Sequence, residues 1–477
     1  MATNLAEFFG FRSRPADEVR TAAPKTVQRA VSLCHSLLTE RGEVSGARIA
    51  LEIFSLYNVM DSGLRSNFFD ALASEFSPNP EAVGSAGEAY RKAPSPKTLA
   101  RLQRVVDPPR QELFRRLNMV PAATPMLVAL RSEILKELPR KVEWEPIADD
   151  LGHLFVSWFN RGFLELRRID WNSSAAVLEK LIQYEAVHAI QGFTDLRRRV
   201  AADRRCYAFF HPAMPDTPII FVEIALSSGM SAKVQPLLDP DAPILDPAKA
   251  DSAIFYSITN CHDGLRGVPF GSFLIKQVAE DLGQELPGLR RLATLSPVPG
   301  FAAWLKAQPC YASVAPILAN RDWVADPKLS RELERVLVPL CAHYLLRAKK
   351  GSEPRDPVAR FHLRNGSQLD RINWLADVSA SGLKNSFGLM VNYVYRLSNI
   401  EYNHERYTQK YRVAASTAIE ALANKADPTK ELVSLPGPGR LESTAKYVDG
   451  PRLSGISSGP SSKPMQTVIL PVASNGD

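Results

Sequence analysis

The chain has 477 residues, 45% hydrophobic and 23% charged, the balance of an ordinary soluble globular protein. At roughly 100–200 residues per domain there is room for about two to four domains, which excludes a collagen, a wholly disordered chain and a disulfide-stapled mini-protein. Lys and Arg number 58 against 51 Asp and Glu, a net charge of +7, which suits an anionic small ligand better than a nucleic-acid groove.

Met1 to Pro15 carries an acidic residue, Glu7, and no apolar signal core, which predicts a cytoplasmic protein. Helix then follows helix. Ala23 to Glu43 repeats Val27, Ala30, Val31, Cys34 and Leu37 on one face, and Gly46 to Met60 does the same through Ile49, Ile53 and Leu56. Ser95–Pro96 reads as a cap and first turn for a helix over Lys97 to Val106, stopped by Asp107–Pro108–Pro109. Pro121 to Leu138 and Trp144 to Phe163 continue the series. No metal-ligand spacing or glycine-rich loop interrupts it, so a scaffold or oligomerisation surface over residues 1–156 is expected.

The texture then changes. Cys206 to His211, Ile219 to Leu226 and Ala253 to Thr259 are short runs rich in β-branched and aromatic residues. Helical patterns at Ser174 to His188, Ser272 to Leu282 and Lys328 to Arg347 separate them or follow them. The alternation predicts an α/β or α+β catalytic part over residues 157–426. The remainder, 427–477, is rich in Gly, Pro and Ser and reads as a disordered tail, with one short strand at Thr467 to Val472.

The five cysteines, Cys34, Cys206, Cys261, Cys310 and Cys341, are far apart and odd in number, which predicts free thiols in a reducing compartment. No apolar run reaches the ~18 residues of a membrane span. The arginine cluster at Arg197, Arg198, Arg199, Arg204 and Arg205 reads first as a solvated face, and second as an attraction for a phosphate. Cys261 and His262 are neighbours whose side chains point apart, a poor nucleophile–base pair. His188 and His211 read as ordering groups, and Trp171, Trp304 and Trp374 as core.

Three stretches carry the chemistry. A strand over Ala253 to Thr259 runs through Gly264-Leu-Arg-Gly-Val-Pro-Phe-Gly271 into a helix with Leu274, Ile275, Val278 and Leu282 on its apolar face. Strand, glycine turn and helix N-terminus together suit an anion. The spacing fits neither the Walker nor the dinucleotide glycine pattern. It comes closer to the pyrophosphate loop of the acetyltransferase superfold. Ser296, in Leu295-Ser-Pro-Val-Pro-Gly-Phe301, places a hydroxyl beside rigid backbone. His362 stands in Phe361-His-Leu-Arg-Asn-Gly366, just before a turn.

Together these stretches resemble the malonyl-CoA decarboxylases. So do Tyr184-Glu-Ala-Val-His188, Arg204-Arg-Cys-Tyr207, Arg371-Ile-Asn-Trp374 and Gly388-Leu-Met-Val-Asn-Tyr-Val-Tyr395. The resemblance covers nearly all of residues 157–425, and the first third more loosely. It implies an α+β chain: an all-helical N-terminal domain, then an acetyltransferase-like mixed α/β domain turning malonyl-CoA into acetyl-CoA and carbon dioxide. By position it makes Ser296 and His362 catalytic. Arg266, Gly267, Val268, Pro269, Phe270, Gly271 and Ser272 become the coenzyme A loop, and Ser257 and Tyr395 substrate-binding residues. Pro269 stands where animal members carry glutamate. No cofactor or metal is expected, because the thioester carbonyl accepts the electron pair left by carbon dioxide. Phe255, Phe301 and Tyr395 are expected to line the site. The expected assembly is a homodimer or homotetramer, with no nucleic-acid or membrane partner. The alternatives are an acyl-CoA-dependent acyltransferase and a non-catalytic coenzyme A-binding protein.

Overall fold

In a computed structural model the described residues are 23–268, 274–319 and 321–430. They all fall within one compact unit, Met1–Leu435. The tail beyond residue 430, with its expected strand, lies outside them.

Eight α-helices come first among the described residues: α1 (Ala23–Thr39), α2 (Glu43–Val59), α3 (Ser62–Glu75), α4 (Pro80–Lys92), α5 (Pro96–Val106), α6 (Pro109–Leu117), α7 (Ala123–Glu137) and α8 (Glu145–Trp158). Their boundaries follow local chemistry. Ser95 caps α5 through a capping box with Thr98, and proline stands in the first turn of α4, α5, α6 and α8. The helix expected over Trp144 to Phe163 stops earlier, since Asn160 takes the Gly162 amide and starts a 3-10 turn.

The second part is a mixed sheet with helices on it. Its strands are β1 (Glu165–Ile169), β2 (Arg204–Phe210), β3 (Ile220–Ser227), β4 (Ser252–Asn260), β5 (Arg291–Thr294), β6 (Ser296–Pro297), β7 (Gln368–Asn373) and β8 (Met390–Tyr395). The order is β1-β2-β3-β4-β5-β8-β6, with β7 also paired to β8. Only β4 and β5 run parallel. The expected α+β class, helices first and a mixed sheet after, is what the described residues adopt.

β2 and β3 are buried along nearly their whole length, because both faces of the sheet are covered. Tyr207, Phe209, Val222 and Ile224 pack in one cluster with the N-terminal helices and with Ile275, Val278 and Leu282 of α11 (Leu274–Glu285). Cys206, Ala208, Phe210 and Phe221 face the other way, onto α9 (Ala175–Tyr184) and α10 (Phe193–Arg199). The helical part and the sheet therefore share a core.

Two expectations fail here. The arginine cluster is no solvated face: Arg198, Arg199, Arg204 and Arg205 are buried. Arg199 Nη1 donates to Glu223 at 2.8 Å, Arg198 Nη1 to Asp203 at 2.6 Å, and Arg205 Nη2 to Glu285 at 2.6 Å. Acids from β3, from α11 and from the turn before β2 neutralise them, with Arg204 Nη1 also 2.9 Å from Asp203, so these four are committed to ion pairs rather than to a phosphate. Trp171 is exposed, not core, and carries the Arg197 guanidinium 4.8 Å from its ring centroid. All five cysteines are free and buried, and no described helix is long and apolar enough to cross a membrane.

Candidate active site

The sheet opens where its parallel pair ends. β4 and β5 are paired only as far as Phe255 and Thr294, after which β4 continues toward Asn260 on β3 alone. The other edge keeps its partner: β8 pairs with Leu292 and Ala293 of β5 and then, in the same register, with Ser296 and Pro297 of β6. An extra residue, Tyr256, also bulges β4 against β3 between Ser257 and Phe255. A cavity of about 230 Å³ lies in the resulting gap. Phe255, Ser257 and Asn260 of β4 line it, opposite Ser296 and beneath Phe361 and His362.

His362 comes from α13 (Pro357–Arg364), which follows the long α12 (Pro327–Arg347). Asp356 caps α13 by accepting the Val358 and Ala359 amides at 2.9 and 3.0 Å, and Pro357 fills the first turn. The Asp–Pro start sets the phase that turns His362 inward. Its ring stacks on Tyr393 at 4.7 Å between centroids and is 3% exposed.

Four side chains form one hydrogen-bonded row. Ser296 Oγ donates to Thr294 Oγ1 at 2.8 Å. It lies 2.9 Å from His362 Nε2, and His362 Nδ1 lies 2.8 Å from the Tyr395 hydroxyl. Burial pushes the His362 imidazole down to about 3, so it is neutral at pH 7. Burial drives the Tyr395 phenol well above its ordinary range, so it keeps its proton.

Ser257 sits in the wall of the cavity and is anchored from behind. Its hydroxyl donates to both Glu185 oxygens, at 2.9 and 2.8 Å, and Glu185 also accepts Thr259 Oγ1 at 3.2 Å. The same carboxylate takes the Val187 and His188 amides at 2.8 Å each. That inward turn ends α9 at Tyr184, earlier than the helix expected through His188.

The loop expected to grip coenzyme A is only partly placed. Arg266 is exposed and pairs with Asp263, Gly267 has φ +87°, and Val268 is buried. Pro269, Phe270, Gly271 and Ser272 lie outside the described residues. Helix α7 holds the described end of the loop. Arg131 Nη1 donates to the Gly264 and Arg266 carbonyls at 2.6 and 2.9 Å, and its Nε to Ala148 O at 2.8 Å. A Cβ on Gly264 would lie 1.9 Å from the Val128 carbonyl oxygen, so only glycine permits this approach.

Thus Ser296, His362, Tyr395, Ser257 and Phe255 come together. Phe301 does not: it is buried in another cluster among Trp304, Tyr344 and Phe387. His262 reaches Pro218 O at 3.1 Å, away from the thiol of its neighbour, which is buried. His211 reaches Trp158 O at 3.1 Å, across the junction with the helices. Sequence reasoning overlooked Thr294, Glu185, Arg131 and Asp356. The Asp–Pro cap was a readable signal for the last, and Glu185 stood inside a matched motif; Thr294 and Arg131 carried no local mark.

The buried histidines make acid stability a direct readout. Burial pushes His188 and His262 down to about 4, and His362 further. Their folded values lie below the ordinary 6.5, so the unfolded chain binds more protons between the two. The stability they confer is complete above about pH 6.5 and lost as pH falls toward 4. Each contributes a slope of up to roughly 1.4 kcal/mol per pH unit in that window. Urea unfolding between pH 7 and 4.5 should show the loss, and His262→Gln should remove one proton's share. A flat profile would contradict the assignment.

The chain is similar to known proteins along most of its length. The family model described as "Malonyl-CoA decarboxylase C-terminal domain" matches residues 162–433, and that of the N-terminal domain residues 76–159. The mitochondrial malonyl-CoA decarboxylase of Rattus norvegicus is 33% identical over 356 residues, covering 68% of this chain and 72% of its own length. The crystal structure of malonyl-CoA decarboxylase from Rhodopseudomonas palustris superposes with a TM-score of 0.80 at 43% identity, over 83% of this chain and 99% of that one. The Agrobacterium vitis malonyl-CoA decarboxylase structure gives 0.78 at 44% identity, over 82% and 99%. The chain belongs to the malonyl-CoA decarboxylase family.

Proposed function

We propose that the cavity between β4 and β6 takes the acyl end of malonyl-CoA and releases acetyl-CoA and carbon dioxide, with His362 and Ser296 as the catalytic residues. The observation that carries this reading is the Ser296–His362–Tyr395 row opening on a cavity with neither Lys nor Arg among its described lining residues. A carboxylate placed there loses water and meets no permanently charged cation, which favours its departure as neutral carbon dioxide.

The reaction consumes one proton. In the empty cavity His362 is neutral through burial alone. An arriving carboxylate favours the imidazolium, so the proton enters with the substrate. The bond to the carboxyl carbon breaks and its electron pair moves into the thioester carbonyl. The enolate oxygen then needs a hydrogen-bond donor, worth about 10²–10³ in rate. The α-carbon takes a proton from the Ser296 hydroxyl while the imidazolium N–H replaces it, a general-acid contribution of about 10²–10⁴. His362 ends neutral, and the thioester is intact.

Ser257, and the loop at Arg266 to Ser272, are assigned to holding the coenzyme A chain. Residues 157–426 form the catalytic part in this reading, and residues 1–156 the part that props the loop and carries a homodimer or homotetramer. The cytoplasmic setting is supported by the five free thiols, which suit a reducing compartment.

The deciding experiment incubates the protein with malonyl-CoA, and with methylmalonyl-CoA alongside, and reads the products by mass. Acetyl-CoA and carbon dioxide are expected. Free coenzyme A in their place would make the protein an acyltransferase. Binding without turnover would make it a sensor.

A further inference from the structure

Thr294 is a buried hydroxyl with no part in the mechanism so far. It closes β5, fully shielded from solvent. Two donors converge on its Oγ1: the Ser296 hydroxyl at 2.8 Å and the Tyr393 amide at 3.1 Å. The strand beneath is pinned as well, since Asn392 Nδ2 donates to the Thr294 carbonyl at 2.6 Å. Thr294 is therefore a fixed acceptor.

A serine hydroxyl has one proton and two lone pairs. With its proton on Thr294, Ser296 can only accept from His362, whose Nε2 stands 2.9 Å away. A neutral imidazole has one N–H, so placing it on Nε2 leaves Nδ1 bare. Nδ1 lies 2.8 Å from the Tyr395 hydroxyl, which must then donate. The proton direction is thus the same at every link: Tyr395 to His362, His362 to Ser296, Ser296 to Thr294. A nucleophilic serine–histidine pair runs the opposite way, with the serine donating to Nε2.

The geometry points to Thr294 as the positioning residue that holds resting His362 in its Nε2–H form and keeps Ser296 a proton relay rather than a nucleophile. Its effect on turnover rests on the decarboxylase reading; its effect on the imidazole does not. Without the threonine hydroxyl, the best acceptor left for the Ser296 proton is Nε2 itself. The row then reverses, and Nδ1–H donates to Tyr395.

The test uses the full chain labelled with ¹⁵N-histidine, His362 being assigned by loss of its signal in His362→Gln. Two-bond ¹⁵N–¹H correlations at pH 7.5 distinguish the two neutral forms. Wild type is expected to show Nε2–H at His362, and Thr294→Val to show Nδ1–H. With malonyl-CoA, Thr294→Val should lower kcat about tenfold (~1.4 kcal/mol) with KM within about twofold. Thr294→Ser, which keeps the hydroxyl, should restore both the spectrum and kcat. A wild-type spectrum showing Nδ1–H overturns the inference even if Thr294→Val fails to fold. So does a folded Thr294→Val that keeps Nε2–H. If the tautomer follows Thr294 but wild type makes no acetyl-CoA, the positioning role stands and the decarboxylase reading falls.

Discussion

His362→Ala and Ser296→Ala should each cut the release of carbon dioxide from malonyl-CoA by about 10²–10⁴, the range for losing a general acid or an oxyanion donor. The two side chains are joined at 2.9 Å and line one cavity, so each is useless to the proton without the other. The double variant should therefore lose little more than the worse single one, as groups acting as a unit do. Binding should suffer less than turnover, because the proposed grip on coenzyme A lies elsewhere. Stopped carbon dioxide assays, paired with titration of a non-reacting acyl-CoA, separate these quantities. Near-wild-type release by both variants would remove the proposed mechanism; a doubling of the logarithmic loss in the double variant would mean that the two act independently.

The second large effect is expected far from the reacting atoms. Arg131→Met removes three hydrogen bonds to the carbonyls of Ala148, Gly264 and Arg266. Arg131 is itself only 7% exposed, and the buried Gly264 carbonyl left without its donor costs ~1–3 kcal/mol, while Ala148 keeps its place inside α8. A loss of roughly 1–3 kcal/mol follows, visible as a lower midpoint in urea. The kinetic signature is more telling. In the proposed grip on coenzyme A, release from α7 withdraws the backbone at 263–268, so KM should rise about tenfold with kcat nearly unchanged, the pattern of lost uniform binding. Equal falls in kcat and kcat/KM would show instead that the helical part shapes the reacting centre.

Arg131 also shows how the helical third serves the site. Sequence patterning identified α7 as an amphipathic helix and nothing more. Its contact with the loop depends on Gly264 meeting Val128, two positions with no local relation. The arginine run from 197 to 205 illustrates the same limit. Its charge was evident, but Glu223 and Glu285, which bury and neutralise it, arrive from other elements. Phe301 looked like a lining residue because it follows Ser296 closely, yet the chain turns at Gly300 and carries its ring into a separate core.

What could be read from the sequence alone was local or repetitive. Helix caps at Ser95 and Asp356, the buried strands and the chain order of helices then sheet all follow from neighbouring residues satisfying one another's backbone and sharing one face. The motifs around Ser257, Ser296, His362 and Tyr395 likewise marked the chemistry. Folding alone decided that β4 and β5 part after Phe255 and Thr294 while the chain through Ser296 stays on β8 in one register. The direction of the proton row was decided there too. A hydroxyl's donor or acceptor role depends on every group around it, and the groups around Ser296 come from three separate stretches of chain.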